Sequence, residues 1–282
     1  MKILIIIPAH NEADSIGKTL DSLLTQTYAA QQIIVVDDNS TDETNAIVSE
    51  YAEKNSAVKL VYKESSEQHE PGSKIIKAFQ FGYAHKTIDY DLVCKYDADL
   101  IFPENYLEEM SKTFLTDAKL GIFGGFCSIE KNGKWQLENL TNKDHVRGAL
   151  KAYSARCFKK INGLIPEMGW DTIDELLCQY HGYKIKTDES LLVKHLKPTG
   201  SRYKKSLPNK FGVSLHQMRY DFGLALITSL KMGVNKKDLG FILKSTSAFL
   251  SAKTKKIPYL VNAKQGKFIR QLRWNGVKAK LF

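Results

Sequence analysis

The chain opens with a short β-branched run, Ile3-Leu4-Ile5-Ile6-Ile7, in which no polar residue alternates. Such a run reads as a strand buried on both faces, as in a parallel sheet. No small-residue cleavage site follows it, so it reads as a core strand rather than a signal peptide. Pro8-Ala9-His10-Asn11-Glu12 then predicts a turn. Ile16, Leu20, Leu23 and Leu24 recur at helical spacing and predict one apolar helix stripe. Ile33-Ile34-Val35-Val36 is a second buried strand, ending at Asp37-Asp38-Asn39-Ser40. Ser40 and Glu43 have capping-box spacing, and Ile47, Val48 and Tyr51 continue a helix. Val58 to Tyr62 reads as a third strand. A polar loop from Lys63 to Ser73 leads to a helix from Lys74 to about His85. Leu92 to Tyr96 is a fourth strand, stopping at Asp97-Ala98-Asp99.

Strands alternating with helices predict βαβ units, hence an α/β fold with a mostly parallel central sheet. Right-handed crossovers gather the strand C-termini along one edge, where open sheets bind ligands. Pro8–Glu12, Asp37–Ser40 and Asp97–Asp99 are therefore expected to converge on one cleft. Beyond Asp99 the pattern loosens. Tyr106 to Phe114 predicts a helix, and Leu120 to Ser128 a glycine-rich strand. Arg147 to Ile161 fits a helix or a strand followed by a helix. Trp170 to Tyr180 predicts a helix, and Gly182-Tyr183-Lys184-Ile185 opens a strand. Past His195 the strand signals fade. Leu239, Ile242, Leu243, Thr246, Phe249 and Leu250 form an apolar helical stripe with lysines beside it. The expected division is a catalytic domain over residues 1–229, with halves 1–100 and 101–229. A basic amphipathic helical extension follows over 230–282.

The composition of the 282 residues, 43% hydrophobic and 26% charged, excludes a mostly disordered or collagen-like chain. No apolar run approaches the roughly 20 residues of a membrane helix. Cys94, Cys127, Cys157 and Cys178 are scattered without a metal or redox spacing, which predicts core thiols in a reducing cytoplasm. The formal charge of +10 is uneven: Lys231 to Phe282 holds 13 Lys/Arg and one acid, Asp238, leaving residues 1–230 at −2. Such a block either meets an anionic surface or is simply solvated.

Asp97-x-Asp99 at a strand end offers two hard oxygen donors, which suit Mg²⁺ or Mn²⁺ shared with phosphate oxygens. In Asp37-Asp38-Asn39-Ser40 an Asp can accept from a base N–H or a ribose hydroxyl, while the same residues also fit an N-cap. Asn11-Glu12 has the same two readings. Pro71-Gly72-Ser73-Lys74 opens a helix, where free N–H groups and the Lys74 ammonium suit a phosphate or stand exposed. Asp171, Asp174 and Glu175 share one helix face, where an acid can act as a general base or simply favour the positive helix end. His195 fits either a metal or phosphate contact or a structural role.

Ile5–Glu12, Val35–Asp42 and Tyr96–Asp99, in this order, resemble the family 2 glycosyltransferases of the GT-A fold. Gly72-Ser73-Lys74 with Ala78-Phe79-Gln80-Phe81-Gly82 is similar to that family's Gly-Lys and Ala-x-Asn-x-Gly segment, with Gln80 in the Asn position. Arg147-Gly148, Gly163-Leu164, Gly169-Trp170-Asp171 and Gly182-Tyr183 resemble its acceptor half. The resemblance covers about residues 2–200. It implies a Rossmann-like nucleotide-diphospho-sugar transferase fold, with residues 1–100 holding the donor and 101–229 the acceptor. Pro8, Asn11, Glu12, Asp37, Asp38, Lys74 and Asp97 would contact the donor nucleotide. Asp99, Asp97 and His195 would hold a divalent metal, Mn²⁺ or Mg²⁺. The family's spacing, counted back from Gly182, puts the catalytic base at Asp171. Trp170 stands where the family often has Glu, which keeps Asp174 in contention and Glu175 behind it.

The implied activity is inverting transfer of one sugar from a nucleoside-diphosphate sugar to a hydroxyl of a glycan or lipid-linked acceptor, in surface glycan or glycoconjugate synthesis. Processive members carry Gln-x-x-Arg-Trp, whereas Gln271-Leu272-Arg273-Trp274 is one residue too short. A sugar-phosphate nucleotidyltransferase is the alternative enzyme, but its glycine-rich first loop has no counterpart in Pro8–Glu12. A nucleic-acid-binding protein using the basic tail is the non-enzymatic alternative; no binding motif accompanies the tail, so no nucleic acid partner is expected. The extension predicts either peripheral contact at the inner face of a membrane or packing on the catalytic domain.

Overall fold

The computed structural model describes residues 1–64, 72–138, 143–197 and 207–281. Four parallel strands, β1 (Ile3–Ala9), β2 (Gln32–Asp37), β3 (Val58–Tyr62) and β4 (Leu92–Tyr96), lie in the order β3-β2-β1-β4. They alternate with α1 (Ile16–Leu24), α2 (Thr44–Lys54) and α3 (Ser73–Ala84). The unbroken apolar run of β1 is explained by its two faces. Ile3, Ile5 and Ile7 enter one core layer with Ile16 and Leu20 of α1, while Leu4 and Ile6 enter the other with Ile76 and Phe79 of α3.

The second half adds β5 (Leu100–Ile101), α4 (Tyr106–Thr116), β6 (Leu120–Lys131), β7 (Lys134–Leu137), β8 (Leu150–Ser154), α5 (Ala155–Lys160), α6 (Trp170–Tyr180) and β9 (Lys184–His195). The sheet continues from β4 as β8-β6-β9-β5, and β7 pairs with β6. β8 runs antiparallel to both β4 and β6, so this half is mixed while the first is all parallel. Arg147 to Ile161 thus resolves as a strand followed by a helix. Four helices close the chain: α7 (Leu207–Gln217), α8 (Phe222–Lys236), α9 (Leu239–Thr254) and α10 (Ala263–Leu281). Among the described residues no helix is long and apolar enough to cross a membrane. All four cysteines are buried and free.

Several expectations need correction. β1 continues through Pro8 and Ala9, which hold register with Val36 and Asp37. Proline cannot donate to the ladder, but its carbonyl and its neighbours still can pair. The Ser40–Glu43 capping box does not form. α2 starts only at Thr44, whose N–H donates to Asp42 Oδ1 at 3.0 Å, and Ser40 Oγ accepts from Asn11 N–H instead. Pro71 lies outside the described residues, as does most of the polar loop before α3.

Only part of the predicted apolar stripe of α9 lies on its buried face. Leu239 and Leu243 are 78% and 73% exposed, and Phe241, Ser245, Phe249 and Ala252 are buried. The reason is the close approach of α7: a Cβ on Gly212 would stand 2.0 Å from the Ser245 carbonyl oxygen. At that point the helices meet through small groups, while Phe211 of α7 packs against Phe241 of α9 with ring centroids 5.4 Å apart. The boundary drawn after residue 229 also shifts, because it falls inside α8, where Ser229 is fully buried. α10 packs inward as well: Phe268 meets the Tyr180 ring edge-on, and the Trp274 indole N–H donates to Asp221 at 2.8 Å.

One contact tests the α3–sheet packing. A Cβ on Gly82 would lie 2.6 Å from Val36 Cγ2 and 2.8 Å from Ile6 Cγ2. Both neighbours are β-branched core residues with no room to turn away. Gly82→Ala is expected to lose about 1–3 kcal/mol through overpacking. Thermal unfolding followed by circular dichroism should show a lower Tm with an unchanged native spectrum.

Candidate active site

The carboxyl ends of β1 and β2 lead into two loops that clamp each other. Asn11 and Asn39 both adopt left-handed backbone, with φ of 56° and 62°, a conformation asparagine tolerates. Asn11 N–H donates to Ser40 Oγ at 3.0 Å, and Thr41 N–H donates to Asn11 Oδ1 at 2.8 Å. Asp37 is buried at the end of β2, accepting from Ser40 N–H at 3.0 Å and Asn45 Nδ2 at 2.9 Å. Asp38 is buried beside it and pairs with Lys63 at 2.8 Å. Glu12 accepts from Ser15 Oγ at 2.7 Å and ion-pairs with Lys197. Of the expected donor residues, then, Asn11, Asp37 and Asp38 also shape the loops they stand on.

Lys74 lies half-buried in the first turn of α3. Gly72 precedes it with φ of 77°, and a Cβ there would stand 3.2 Å from the Glu167 carbonyl oxygen and 3.3 Å from Met168 Cα. Only glycine suits both the backbone conformation and that contact. The start of α3 is thereby pressed against the segment that leads into α6.

Asp97 and Asp99 follow β4, and the β5–β9 pairing sets His195 opposite Leu100, next to Asp99. His195 Nε2 is 3.4 Å from Asp99 Oδ2, and its Nδ1 is 3.2 Å from Glu138 Oε2. One ligand atom from each of Asp97, Asp99 and His195 falls within 4.8 Å of the others. The three expected metal residues are therefore brought together. Two carboxylates and an imidazole form a donor set that fits Mn²⁺ or Mg²⁺. Glu138 on Nδ1 leaves Nε2 facing the acids, the arrangement common behind metal-bound histidines.

Burial opposes charge on His195, but its hydrogen bonds to Asp99 and Glu138 outweigh this and lift it to about 9. For Glu138, burial is likewise overcome by His195 and Arg147, which hold the carboxyl at about 2. Cys127 is also within reach of Glu138 and His195. Burial pushes its thiol up to about 12, so it is a protonated core residue and a poor ligand.

The three acids of α6 have different surroundings. Asp174 is buried, with Lys151 Nζ at 2.8 and 3.0 Å from its two oxygens and the Tyr153 hydroxyl donating to Oδ2. Burial raises its carboxyl against the pull of Lys151. Glu175 accepts from Val146 N–H at 2.9 Å, meets His145 Nδ1 at 2.9 Å, and stands 3.1 Å from Lys151. Burial opposes its charge, but Lys151 and His145 hold it below the ordinary glutamate range. Asp171 differs. Its side chain is 37% exposed in the first turn of α6, and its near neighbour is His145 Nε2 at 3.9 Å. Asp174 and Glu175 are saturated inside the core, so Asp171 is the α6 acid open to a substrate.

Lys95 and Lys151 were not expected. They are register partners across β4 and β8 and almost fully buried. Lys95 donates to Asp97 and, at 3.0 Å, to the Gly148 carbonyl oxygen. The Trp170 ring lies 5.4 Å from Lys95 Nζ and 5.8 Å from Lys151 Nζ. A Cβ on Gly148 would stand 2.8 Å from Trp170 and 3.3 Å from Asp171, so the start of α6 abuts the loop next to Asp97. The signal for both lysines was legible: each is a charge inside an apolar strand, which requires a buried partner. Glu138, Arg147 and His145 carried no local pattern, because their partners lie elsewhere in the chain.

A sequence model of glycosyl transferase family 2 matches residues 4–168, more than half of the chain. The chain belongs to that family. Among curated relatives of this family 2 protein, the probable glycosyltransferase YdaM of Bacillus subtilis is 32% identical over 152 residues, 51% of this chain and 34% of that protein. A poly-beta-1,6-N-acetyl-D-glucosamine synthase of Staphylococcus aureus is 28% identical over 123 residues, 44% of this chain and 28% of its own. The chain thus matches only about a third of each of these relatives. In structure it is similar to the mannosyltransferase PcManGT of Pyrobaculum calidifontis, solved with GDP-Man and Mn²⁺. The TM-score is 0.57 at 18% identity, covering 100% of this chain and 81% of that one. S. aureus TarS 1-349 with UDP-GlcNAc gives a TM-score of 0.57 at 18% identity, over 76% and 65% of the two chains. These likenesses establish the GT-A fold.

The family 2 framework and the two lysines give a stability prediction. Asp174→Asn leaves Lys151 buried with Glu175 as its remaining acid. The expected loss is about 3 kcal/mol, the lower end for breaking a buried pair. Asp171→Asn, at a part-exposed position, should leave the unfolding midpoint nearly unchanged. Urea denaturation of the two variants side by side checks the contrast.

Proposed function

We propose that this chain transfers a single sugar from a nucleoside-diphosphate sugar to a hydroxyl of a glycan or lipid-linked acceptor, in one displacement that inverts the anomeric centre. The carrying observation is the meeting of two acidic groups at the carboxyl edge of the sheet. Asp97 and Asp99 stand there with His195, and the start of α6, which carries Asp171 with a part-exposed carboxylate, abuts Gly148, next to the Ala149 carbonyl that accepts from Asp97 N–H. The donors bound by PcManGT and TarS, GDP-Man and UDP-GlcNAc, support a nucleotide-sugar donor.

In this reading the clamped loops after β1 and β2 seat the nucleotide, with Asp37 or Asp38 accepting from the base or ribose. Pro8, Asn11 and Glu12 form the wall of that seat. Lys74 and the start of α3 face the diphosphate. Asp97, Asp99 and His195 would hold Mn²⁺ or Mg²⁺, which when bound offsets charge on the departing diphosphate. Asp171 takes the proton from the acceptor hydroxyl as that oxygen attacks the anomeric carbon. A single base suffices, because no glycosyl-enzyme intermediate forms.

The α8–α9 face supports a finer reading, a peripheral site on an anionic membrane at the cytoplasmic side. Leu230, Val234, Leu239 and Leu243 are 42–78% exposed. Lys231, Lys236, Lys237 and Lys244 are exposed on the same two helices. Lysines near an anionic leaflet contribute about 1 kcal/mol each, and the leucines could enter the interface. This set keeps Leu239 and Leu243 of the stripe expected from the sequence and drops Phe249, which packs inward.

Direct measurements test these proposals. Mass-spectrometric detection of transfer from a panel of nucleotide sugars should find one productive donor, and EDTA should stop turnover. Asp99→Asn should lower kcat by orders of magnitude without loss of fold; near-normal turnover in that variant, or indifference to EDTA, rejects the metal reading. Asp171→Asn should lose about 10²–10⁴-fold in kcat while donor binding by titration calorimetry persists. For the membrane reading, the full chain should pellet with phosphatidylserine vesicles at low salt and release at high salt. The Leu239→Glu/Leu243→Glu variant should stay in the supernatant; equal pelleting of both proteins, or none, rejects it.

A further inference from the structure

Among the described residues, His145 reaches the side-chain carboxylates of both an exposed and a buried acid of α6. Its Nδ1 lies 2.9 Å from Glu175 Oε2, and its Nε2 lies 3.9 Å from Asp171 Oδ2. Glu175 is itself held by Lys151 at 3.1 Å and by the Val146 N–H at 2.9 Å. That N–H belongs to the residue next to His145, so Glu175 fixes both the imidazole and the backbone that carries it. Its carboxylate can only accept, so Nδ1 must donate to it, and the ring edge bearing Nε2 is turned toward Asp171.

We propose that His145 is a positioning residue for Asp171, in a Glu175–His145–Asp171 relay that aims the Asp171 carboxylate at the acceptor hydroxyl. The inference rests on Asp171 being the base and adds how that base is oriented. Asp171 begins α6 with a part-exposed side chain and needs a donor on one oxygen to leave the other for the incoming proton. The 3.9 Å separation is longer than a hydrogen bond, and catalytic contacts of this kind commonly tighten when substrate binds. The groups facing the imidazole are Glu175 and Asp171 of α6 and Lys151 of β8. Burial and Lys151 oppose a charge on His145, but the two acids outweigh them and raise it above the ordinary histidine range. A protonated ring donates from both nitrogens, as the relay requires.

Two amide substitutions separate this role from a purely structural one. The Asn amide overlays Nδ1 and can keep the Glu175 contact while losing Asp171. The Gln amide reaches the Nε2 position and can keep Asp171 while losing Glu175. His145→Asn is expected to keep the wild-type Tm and donor KM and to lose about 10- to 100-fold in kcat, the scale of a misplaced catalytic group. His145→Gln should recover part of that loss. Wild-type kcat in His145→Asn, with Asp171→Asn inactive, overturns the positioning role and leaves the base reading standing. Equal kcat losses in both His145 variants, tracking a fall in Tm, mark a structural role and also overturn it. Wild-type turnover in Asp171→Asn removes the base reading, and this inference with it.

Discussion

Two buried lysines facing each other across β4 and β8 set the terms for the rest of the cleft. A lysine ammonium in the core is tolerated only with an acid against it. Lys95 takes Asp97, and Lys151 takes Asp174 and Glu175. Since the two cations are register neighbours, their mutual repulsion is also managed, by the Trp170 ring that both approach. One consequence is that the last acid-bearing turn of the parallel half and the first turn of α6 cannot move independently. The Asp97 loop and the Asp171 loop share a neutralised core of charge beneath them.

The second constraint is topological. Parallel strands alone would leave Asp99 at an open edge with no partner from the later chain. The antiparallel β8 turns the sheet, and β9 returns to pair with the two-residue β5. That short pairing sets His195 beside Asp99, while the β6–β7 hairpin brings Glu138 behind it, its N–H donating to the Cys127 carbonyl oxygen at 2.8 Å. A strand of two residues holds little by itself. Its register is set by β9, which runs parallel to β6 along most of its length.

The parallel half was legible in the sequence because β1 and β2 are built on unbroken apolar runs, β3 and β4 are interrupted only by Lys59 and Lys95, and α1 has a clear stripe. That the loops after these strands gather along one edge followed from crossover chirality; the strand order β3-β2-β1-β4 did not. Asp97, Asp99 and His195 could be named, but only the β5–β9 register explains why they meet. The family's spacing favoured Asp171, but Trp170 before it kept Asp174 in contention, since both suit one helix face. Burial separates them: one is closed in by Lys151 and Tyr153 and the other is open. The C-terminal helices were the least legible. Leu239 and Leu243 look like part of a core stripe, yet α9 comes nearest α7 where Gly212 meets Ser245 and Ala248, small residues that leave no hydrophobic period to read.

α6 has a further consequence as a rigid rod. Its eleven residues span about 16 Å at 1.5 Å per residue. Asp171 stands at one end, and at the other Tyr180 meets Phe268 of α10. α10 in turn holds the start of α8 through Trp274 and Asp221. The acid and the outward face of α8 and α9 are therefore joined through a continuous chain of helix contacts. Any surface on which that face rests would see Asp171 at one fixed altitude. An acceptor anchored in such a surface would have to present its hydroxyl at that altitude, so the fold would act as a ruler for which acceptors can react.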